Sequence, residues 1–158
     1  MVYAKTLLFT VLVPGTVVGW VPHWIRTAAG NSPAGPLLQA LALLPALAGL
    51  AIYLWCALDF ARAAGTPAPI DPPKELVARG LYRYSRNPMY LGVLAMVIAQ
   101  ALFFASPGTL LYAALLFLAF HAFVVLYEEP TLARSFGAAY QRYLASVPRW
   151  VGFSRRTW

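Results

Sequence analysis

The stretch that decides the fold is RNPMYLGVLAMVIAQALFFASPGTLLYAALLFLAFHAFVVLYEEP, residues 86–130. Two polar clusters, Arg86–Tyr90 and Tyr127–Pro130, flank an apolar sequence that is interrupted at Ser106-Pro107-Gly108. The turn proline lies 19 positions after the proline of the first cluster and 20 before the tyrosine of the second. As helices, the two arms are each about 28–30 Å long, which is the thickness of one bilayer core. The spacing therefore predicts a helical hairpin whose polar ends meet at one membrane surface.

The composition is that of an integral membrane protein. Of the 158 residues, 61% are hydrophobic and 11% are charged, whereas soluble domains have about 45–50% and about 25%. The single cysteine, Cys56, excludes an intrachain disulfide and a thiolate cluster, and with only His23 and His121 beside it we expect no metal site. The net charge of +7 does not indicate a nucleic-acid partner, because the basic residues flank apolar segments.

Four apolar segments each approach the length of about 17–25 residues that crosses hydrocarbon, namely 2–21, 36–58, 88–105 and 109–127. We therefore predict one domain over residues 1–158, an all-α integral membrane bundle of about four transmembrane helices. Pro14-Gly15 in the first segment predicts a kink whose freed backbone group a neighbour must satisfy. A signal peptide is the alternative, but no small-residue cleavage site follows, and Trp20–Trp24 is more typical of an interfacial anchor.

Basic residues divide unevenly between the two sides of the membrane. Four spans place the N-terminus, the loop 59–87 and the tail 128–158 on one side, which then carries 11 basic residues, whereas the other side carries only Arg26. Because positive charge is retained in the cytoplasm, we predict that the two polar clusters lie at the cytoplasmic face. Prolines in the loop predict an extended linker. Apolar positions at helical spacing in the tail predict an interfacial amphipathic helix that ends at Pro148.

The first polar cluster is typical of a helix start. Asparagine caps free backbone N–H groups, and proline suits the first helical position, so Asn87-Pro88 predicts the beginning of the third span. The N–H groups and dipole of a helix N-terminus attract anions, and Arg86 can add a charge-assisted contact to a carboxylate or phosphate. An equally good interpretation assigns no ligand to this cluster. In that case Asn87 and Pro88 serve only to begin the helix, and Arg86 only extends its charge to the membrane surface.

The second cluster places two carboxylates, Glu128 and Glu129, at the predicted end of the fourth span. Carboxylates there oppose the helix dipole and are costly near hydrocarbon, so they require a cationic partner. Salt bridges explain them as well as a cationic ligand does, and three arginines are available for this, at positions 79, 83 and 86.

Other polar side chains surround the same interface. His121 lies seven residues before the first glutamate, on the same helix face about 10 Å deeper; it is a functional candidate, although a packed, hydrogen-bonded histidine explains it too. Gln100 predicts an interhelical hydrogen bond.

S-adenosylmethionine, a zwitterion with an additional positive charge and a flat base, fits this combination of an anion site, carboxylates and aromatic side chains, and so does much of a phospholipid headgroup. Four tyrosines are expected at this interface, where one or two can contact a ring or a sulfonium: Tyr82, Tyr84, Tyr90 and Tyr127.

The segment Glu75–Pro148 resembles the membrane methyltransferases of the isoprenylcysteine carboxyl methyltransferase and phospholipid methyltransferase superfamily. About half of the chain is covered, by several motifs in order and at close spacing. The matching residues are Leu76-Val77-x-x-Gly80-x-Tyr82, Arg86-Asn87-Pro88-x-Tyr90-x-Gly92, Glu128-Glu129-x-x-Leu132, Phe136-Gly137-x-x-Tyr140-x-x-Tyr143 and Val147-Pro148. In contrast, no GxGxxG or P-loop motif indicates a soluble nucleotide-binding fold.

The resemblance implies S-adenosylmethionine in a cytoplasm-facing pocket, a lipophilic acceptor entering from the bilayer, and a location in a bacterial inner membrane. By position, the cofactor-binding residues are Lys74, Glu75, Leu76, Val77, Tyr82, Asn87, Pro88, Met89, Tyr90 and Glu128. The candidate catalytic residues are Glu128, Glu129, Arg86 and His121, since an amine acceptor must lose a proton whereas a carboxylate acceptor needs no base. A further wall is expected from Ala51, Ile52 and Tyr53.

One position departs from the prenylcysteine enzymes of eukaryotes. These carry an arginine four residues before the first glutamate, suited to a substrate carboxylate, where this chain has Val124. The segment Leu126–Pro130 is closer to the lipid-amine enzymes, whereas the end at Val147-Pro148 is closer to the prenylcysteine branch, so the acceptor stays open. An NADPH-dependent sterol-type membrane reductase and a non-catalytic membrane subunit or sensor are the alternatives; the short length and the glutamate pair favour the methyltransferase.

Overall fold

A computed structural model describes residues 14–62 and 76–152. These residues form helices and connecting segments with no β-strand, so the predicted all-α class is confirmed. The helices are α1 (Val21–Ala28), α2 (Pro36–Arg62), α3 (Pro88–Phe103), α4 (Pro107–Phe123) and α5 (Glu129–Ser146). Three shorter elements accompany them: π-helical turns at Gly15–Trp20 and Val124–Glu128, and a 3₁₀ turn at Gly80–Arg83.

Within residues 14–62 and 76–152, two helices are long and apolar enough to cross a membrane. One is α2, with 27 residues, and the other is the continuous helix Pro107–Ser146, whose uncharged part ends at Tyr127. Helix α3 is apolar but has only 16 residues. The first predicted span lies mostly outside the described residues, as does the predicted linker at 63–75. Its described end continues as helix to Ala28, beyond the predicted end at residue 21, because Pro22 occupies the first turn of α1, where proline is tolerated.

The predicted hairpin is present, with a turn of the predicted length, three residues, that lies two residues earlier in the sequence. Helix α3 ends at Phe103 and α4 begins at Pro107, whereas the sequence predicted ends at residues 105 and 109. Helix α4 begins earlier than predicted because Ser106 caps it: its hydroxyl oxygen accepts a hydrogen bond from the Thr109 backbone N–H at 3.3 Å. The predicted second span also extends further, to Arg62.

The tail helix differs from the prediction in two ways, in how it begins and in a break at Gly137. It continues directly from α4 through a π-helical turn, so the glutamates do not lie at a helix C-terminus. It ends at Ser146, in agreement with the predicted stop at Pro148, because this proline disfavours helical backbone at Val147. It also breaks at Gly137, which has φ +50° and ψ −125°. A straight helix of 18 residues would separate its ends by about 27 Å, so this break allows the end of α5 to return toward its beginning.

The π-helical turn before α1 is held by side chains of two other helices. The Gln100 side-chain amide on α3 donates to the Val18 carbonyl oxygen, which confirms the predicted interhelical hydrogen bond. The Tyr112 hydroxyl on α4 donates to the Val17 carbonyl oxygen at 3.0 Å. Pro22 has no N–H to donate to the Val18 carbonyl four residues earlier, so a side chain of a neighbouring helix satisfies this oxygen, as an apolar environment requires.

Helices α2 and α3 approach each other closely at two glycines. A Cβ atom on Gly49 would lie 2.6 Å from the Gly92 carbonyl oxygen, and one on Gly92 would lie 2.8 Å from the Gly49 carbonyl oxygen. Small residues let the backbones of apolar helices pack directly against each other. This contact sets the position of α3, and therefore of the polar cluster that precedes it.

Replacing Gly92 with alanine is expected to destabilise the protein by about 1–3 kcal/mol, because the new methyl group overlaps a backbone oxygen that cannot rotate away. The measurement is the thermal unfolding midpoint of the detergent-solubilised protein. Gly19→Ala is the matched control, since no atom lies within 4 Å of the position its Cβ would take. Equal midpoints for the two variants would contradict this account of the contact.

The segment before α3 lies between two buried clusters. One cluster joins α2 and α3 to the segment: Tyr53, Cys56, Val77, Tyr82, Met89 and Val93. The other lies at the end of α5: Tyr140, Tyr143 and Val147. A hydrogen bond of 2.7 Å from the Tyr143 hydroxyl to the Tyr82 carbonyl oxygen joins the two clusters. Gly80, at φ +57°, allows the segment to turn against Asp59, whose carboxylate would lie 2.5 Å from any Cβ there.

Candidate functional site

The two polar clusters meet, as the hairpin spacing predicted. Arg86, before α3, donates from Nη1 to Oε1 of Glu129 at 2.7 Å. The Tyr90 hydroxyl, in the first turn of α3, donates to Oε2 of Glu128 at 3.1 Å. The beginning of one helix of the hairpin therefore contacts the end of the other through two pairs of side chains.

Glu129 is neutralised by two arginines. Besides Arg86, Arg149 contacts it with two parallel hydrogen bonds, from Nε to Oε1 at 2.7 Å and from Nη2 to Oε2 at 2.9 Å. Burial by itself raises the pKa of Glu129, but the hydrogen bonds and charges of Arg149 and Arg86 outweigh it, so the pKa is lowered. In return, the carboxylate raises the pKa of Arg149.

Glu128 has a different environment from its neighbour. Within the described residues it forms no ion pair, and its hydrogen-bond donor is the neutral Tyr90 hydroxyl. Burial raises its pKa and the adjacent Glu129 charge adds to this, although the bond from Tyr90 opposes it. Two consecutive carboxylates thus differ in charge balance: one is held between arginines, and the other has no cation of the described chain beside it.

Asn87 does not cap α3 with its side chain, so that part of the prediction is wrong. Its side-chain amide instead donates to the Arg149 carbonyl oxygen at 3.0 Å, and its backbone N–H donates to the Ser85 hydroxyl oxygen at 3.1 Å. The physical reason is that a nearby chain segment offers a carbonyl acceptor to a buried amide. Pro88 does occupy the first turn of α3, as predicted.

That chain segment, residues 147–150, is called the C-terminal strap below. Its Pro148 carbonyl oxygen accepts from the Arg86 backbone N–H at 2.9 Å, and its Arg149 carbonyl oxygen also accepts from the Ser85 hydroxyl at 3.4 Å. Its Trp150 indole N–H donates to Nδ1 of His121 on α4 at 3.1 Å. The strap therefore connects the segment before α3 with both α4 and the start of α5.

Comparison with known proteins bears on this arrangement directly. Residues 37–139 match the sequence model of the phospholipid methyltransferase family. The chain belongs to this family. Membership points to a membrane methyltransferase and agrees with the superfamily resemblance of the motifs. No curated protein and no solved structure matches the chain.

The family match covers both polar clusters but ends before the strap. Arg149 and Trp150 were not among the predicted site residues, although an arginine directly after Val147-Pro148 was a possible partner for the glutamates. Of the arginines that were considered, Arg86 pairs with Glu129, whereas Arg79 lies 3.9 Å from the Asp59 carboxylate and Arg83 is exposed.

His121, a candidate base in the sequence analysis, contacts Trp150 and Phe117. It accepts the hydrogen bond from Trp150, and its ring and that of Phe117 both pack on the indole. The π-helical turn Val124–Glu128 lies between the histidine and Glu128, so the seven-residue spacing no longer defines a shared face as it would in a regular α-helix. The packed, hydrogen-bonded interpretation of His121 fits these contacts.

Several of the predicted cofactor-binding residues are packed in or against the two buried clusters beside the segment before α3. Leu76 packs against the cluster at the end of α5. Val77, Tyr82 and Met89 are buried with the first cluster, which also contains Cys56. Pro88 is buried at the start of α3. Two further predicted residues, Lys74 and Glu75, lie outside the described residues.

The predicted wall on α2 is only partly formed. Tyr53 is buried and Ile52 packs beside it, but Ala51 is exposed. Consecutive residues of a helix are about 100° apart, so three in a row cannot all face one pocket.

Proposed function

We propose that this protein transfers a methyl group from S-adenosylmethionine to a lipophilic acceptor at the cytoplasmic membrane face. The observation that carries the proposal is the contact between the start of α3 and the two glutamates, through Arg86 with Glu129 and Tyr90 with Glu128. This contact lies inside the region that matches the phospholipid methyltransferase family. The excess of basic residues on the predicted loop and tail supports the cytoplasmic side.

The charges at this contact suit a zwitterionic cofactor. Glu128 has no arginine partner among the described residues, so its charge is available to an ammonium or sulfonium group. Arg86 has a buried Nε atom without a hydrogen-bond partner, although Nη1 is bound to Glu129. A carboxylate ligand is a suitable acceptor for such a donor. The two residues therefore offer opposite charges to a ligand that carries both.

S-adenosylmethionine supplies a methyl group on positively charged sulfur, and S-adenosylhomocysteine remains after the transfer. The reaction is an in-line displacement: an acceptor lone pair forms the new bond to carbon while the carbon–sulfur bond breaks. The protein's contribution is to hold the reacting atoms about 3 Å apart and to exclude water. We propose that Glu128 positions the cationic groups and accepts the proton that an amine acceptor releases.

A lipid amine is the acceptor that we propose first. Val124, at the position where an arginine would serve a substrate carboxylate, is 1% exposed and packs inside the protein. It supplies no positive charge there, and Arg149 is already bound to Glu129 through two hydrogen bonds. The family itself is named for methyl transfer to phospholipids.

Two measurements test this function. Detergent-solubilised protein, incubated with labelled S-adenosylmethionine and a membrane lipid extract, is expected to label a lipid that mass spectrometry then identifies. S-adenosylhomocysteine at about 100 times its Kd is expected to stabilise the protein by about 2.7 kcal/mol, seen as a raised melting temperature.

The alternatives give different results. Protection by NADPH but not by S-adenosylhomocysteine would indicate a reductase, and protection by neither, without labelled lipid, would indicate a non-catalytic subunit. Glu128→Gln is the matched variant, since it is expected to weaken protection without removing the Tyr90 contact.

A further inference from the structure

The C-terminal strap brings one residue into contact with both halves of the site. The Arg149 backbone carbonyl oxygen accepts a hydrogen bond from the Asn87 side-chain amide at 3.0 Å. Its guanidinium donates to both carboxylate oxygens of Glu129, at 2.7 and 2.9 Å. Asn87 begins α3 and Glu129 begins α5, 42 positions apart in the sequence. Through these hydrogen bonds, Arg149 contacts each side of the proposed cofactor position.

The bidentate contact determines how Glu129 is oriented. A guanidinium group presents two parallel N–H donors that match the two oxygens of a carboxylate, which fixes the carboxylate plane as well as its position. With both oxygens occupied by Arg149, the bond from Arg86 goes to Oε1 alone, and Nε of Arg86 stays without a partner in the protein. Without Arg149, the carboxylate would be free to turn and take both donors of Arg86.

The strap itself is held in place independently of the Arg149 side chain. Trp150 is hydrogen-bonded to His121 and packs on Phe117, and Val147 is 2% exposed in the cluster with Tyr140 and Tyr143. The break in α5 at Gly137 lets this anchored segment return to the beginning of its own helix. The Arg149 side chain is therefore not needed to close the strap, and its contacts are directed at the site.

We infer that Arg149 is a positioning residue: it holds Glu129 so that Arg86 keeps a free donor for the ligand, and it holds Asn87 at the start of α3. The part of the inference that concerns the ligand rests on the proposed function. The part that concerns the geometry does not. The residue lies beyond the region that matches the family, which ends at residue 139.

The test compares three variants of the full chain. Arg149→Ala removes the guanidinium but keeps the backbone carbonyl, and Arg149→Lys keeps one charged donor. Arg142→Ala removes an exposed arginine from α5, the helix that precedes the strap, and serves as the control. Each is examined by hydrogen–deuterium exchange, by S-adenosylhomocysteine binding well below the melting temperature, and by kcat and KM for methyl transfer.

Arg149→Ala is expected to raise exchange in the segments around residues 86–90 and 128–131, and to weaken S-adenosylhomocysteine binding about 10-fold or more. Arg149→Lys should recover part of both effects, and Arg142→Ala should match the wild type. Unchanged exchange in Arg149→Ala would overturn the inference. So would a lower melting temperature with unchanged affinity and kcat/KM, because the residue would then be structural only.

Failure of the proposed function gives a separate result. If the wild type neither binds S-adenosylhomocysteine nor labels a lipid, the methyltransferase proposal is wrong. The exchange measurement still decides whether the Arg149 side chain holds Glu129, because it needs no ligand.

Discussion

Glu128→Gln is expected to reduce methyl transfer by about 100-fold or more while the fold stays intact. Glutamine has the size of glutamate and keeps an oxygen that can accept the Tyr90 hydroxyl proton, so the 3.1 Å contact should survive. What disappears is the negative charge beside the proposed cationic ligand, and with it the proposed base for an amine acceptor. Groups with such roles contribute about 10²–10⁴-fold to rates. The measurements are initial rates and the Kd values of both cofactor forms.

The charge on the ligand makes this prediction selective. S-adenosylmethionine carries a sulfonium that S-adenosylhomocysteine lacks. Glu128→Gln should therefore weaken the binding of S-adenosylmethionine more than the binding of S-adenosylhomocysteine. Tyr90→Phe is the matched control, because it removes the hydroxyl but keeps the carboxylate; a loss below about 10-fold is expected, since one neutral hydrogen bond contributes about 1 kcal/mol. Full turnover and unchanged affinity in Glu128→Gln would refute the assigned role.

The pH dependence of the wild type follows from the same carboxylate. Burial raises the pKa of Glu128 above its ordinary value of 4.5. Because the ionised form is the one proposed to act, activity should fall as the pH drops through this raised pKa. The rate profile of wild-type protein should thus have an acidic limb above pH 4.5, and Glu128→Gln should lack it.

Glu129→Ala is expected to destabilise the protein by about 2–3 kcal/mol and to abolish most of its activity. The change leaves Arg86, whose side chain is 12% exposed, and Arg149 without their shared carboxylate. Removing one partner of a buried ion pair costs about 3–5 kcal/mol, and we expect less because the Arg149 side chain is 34% exposed. Chemical or thermal unfolding of the detergent-solubilised protein measures the loss. Gln141→Ala, an exposed truncation on the same helix, is the control.

The pH dependence of stability provides an independent check. The pKa of Glu129 is lowered below its ordinary value of 4.5, so the ionised carboxylate stabilises the folded state at neutral pH. That contribution should be lost as the pH falls from about 4.5 through the lowered pKa. Wild type and Glu129→Ala should therefore approach each other in stability at acidic pH; a constant difference would argue against the ion pairs as its source.

The parts of the structure that followed from local chemistry were predictable. The spacing of 19 and 20 residues around Pro107 brought Arg86 and Tyr90 to the depth of the two glutamates. Gln100 found an interhelical partner because an amide among apolar helices must be hydrogen-bonded. Pro88 began a helix because its fixed φ suits that position.

The predictions that were wrong concern contacts between distant segments. The side chain of Asn87 was expected to cap its own helix, but a carbonyl 62 residues later accepts its hydrogen bond. His121 was placed on the face of Glu128 by counting regular turns, and a π-helical turn changes that count. Neither the distant acceptor nor the wider turn has a signature in the local pattern of apolar and polar residues.

The sequence by itself determined that this chain is an all-α membrane protein and that a helix start meets two carboxylates, because periodicity and segment length depend only on neighbouring residues. Tertiary structure alone decided which carboxylate is neutralised. Arg149 reaches Glu129, 20 residues earlier, only because the helix between them breaks at Gly137 and the strap is anchored on His121. Such a contact depends on where two separate segments are packed, and that is set by the whole fold.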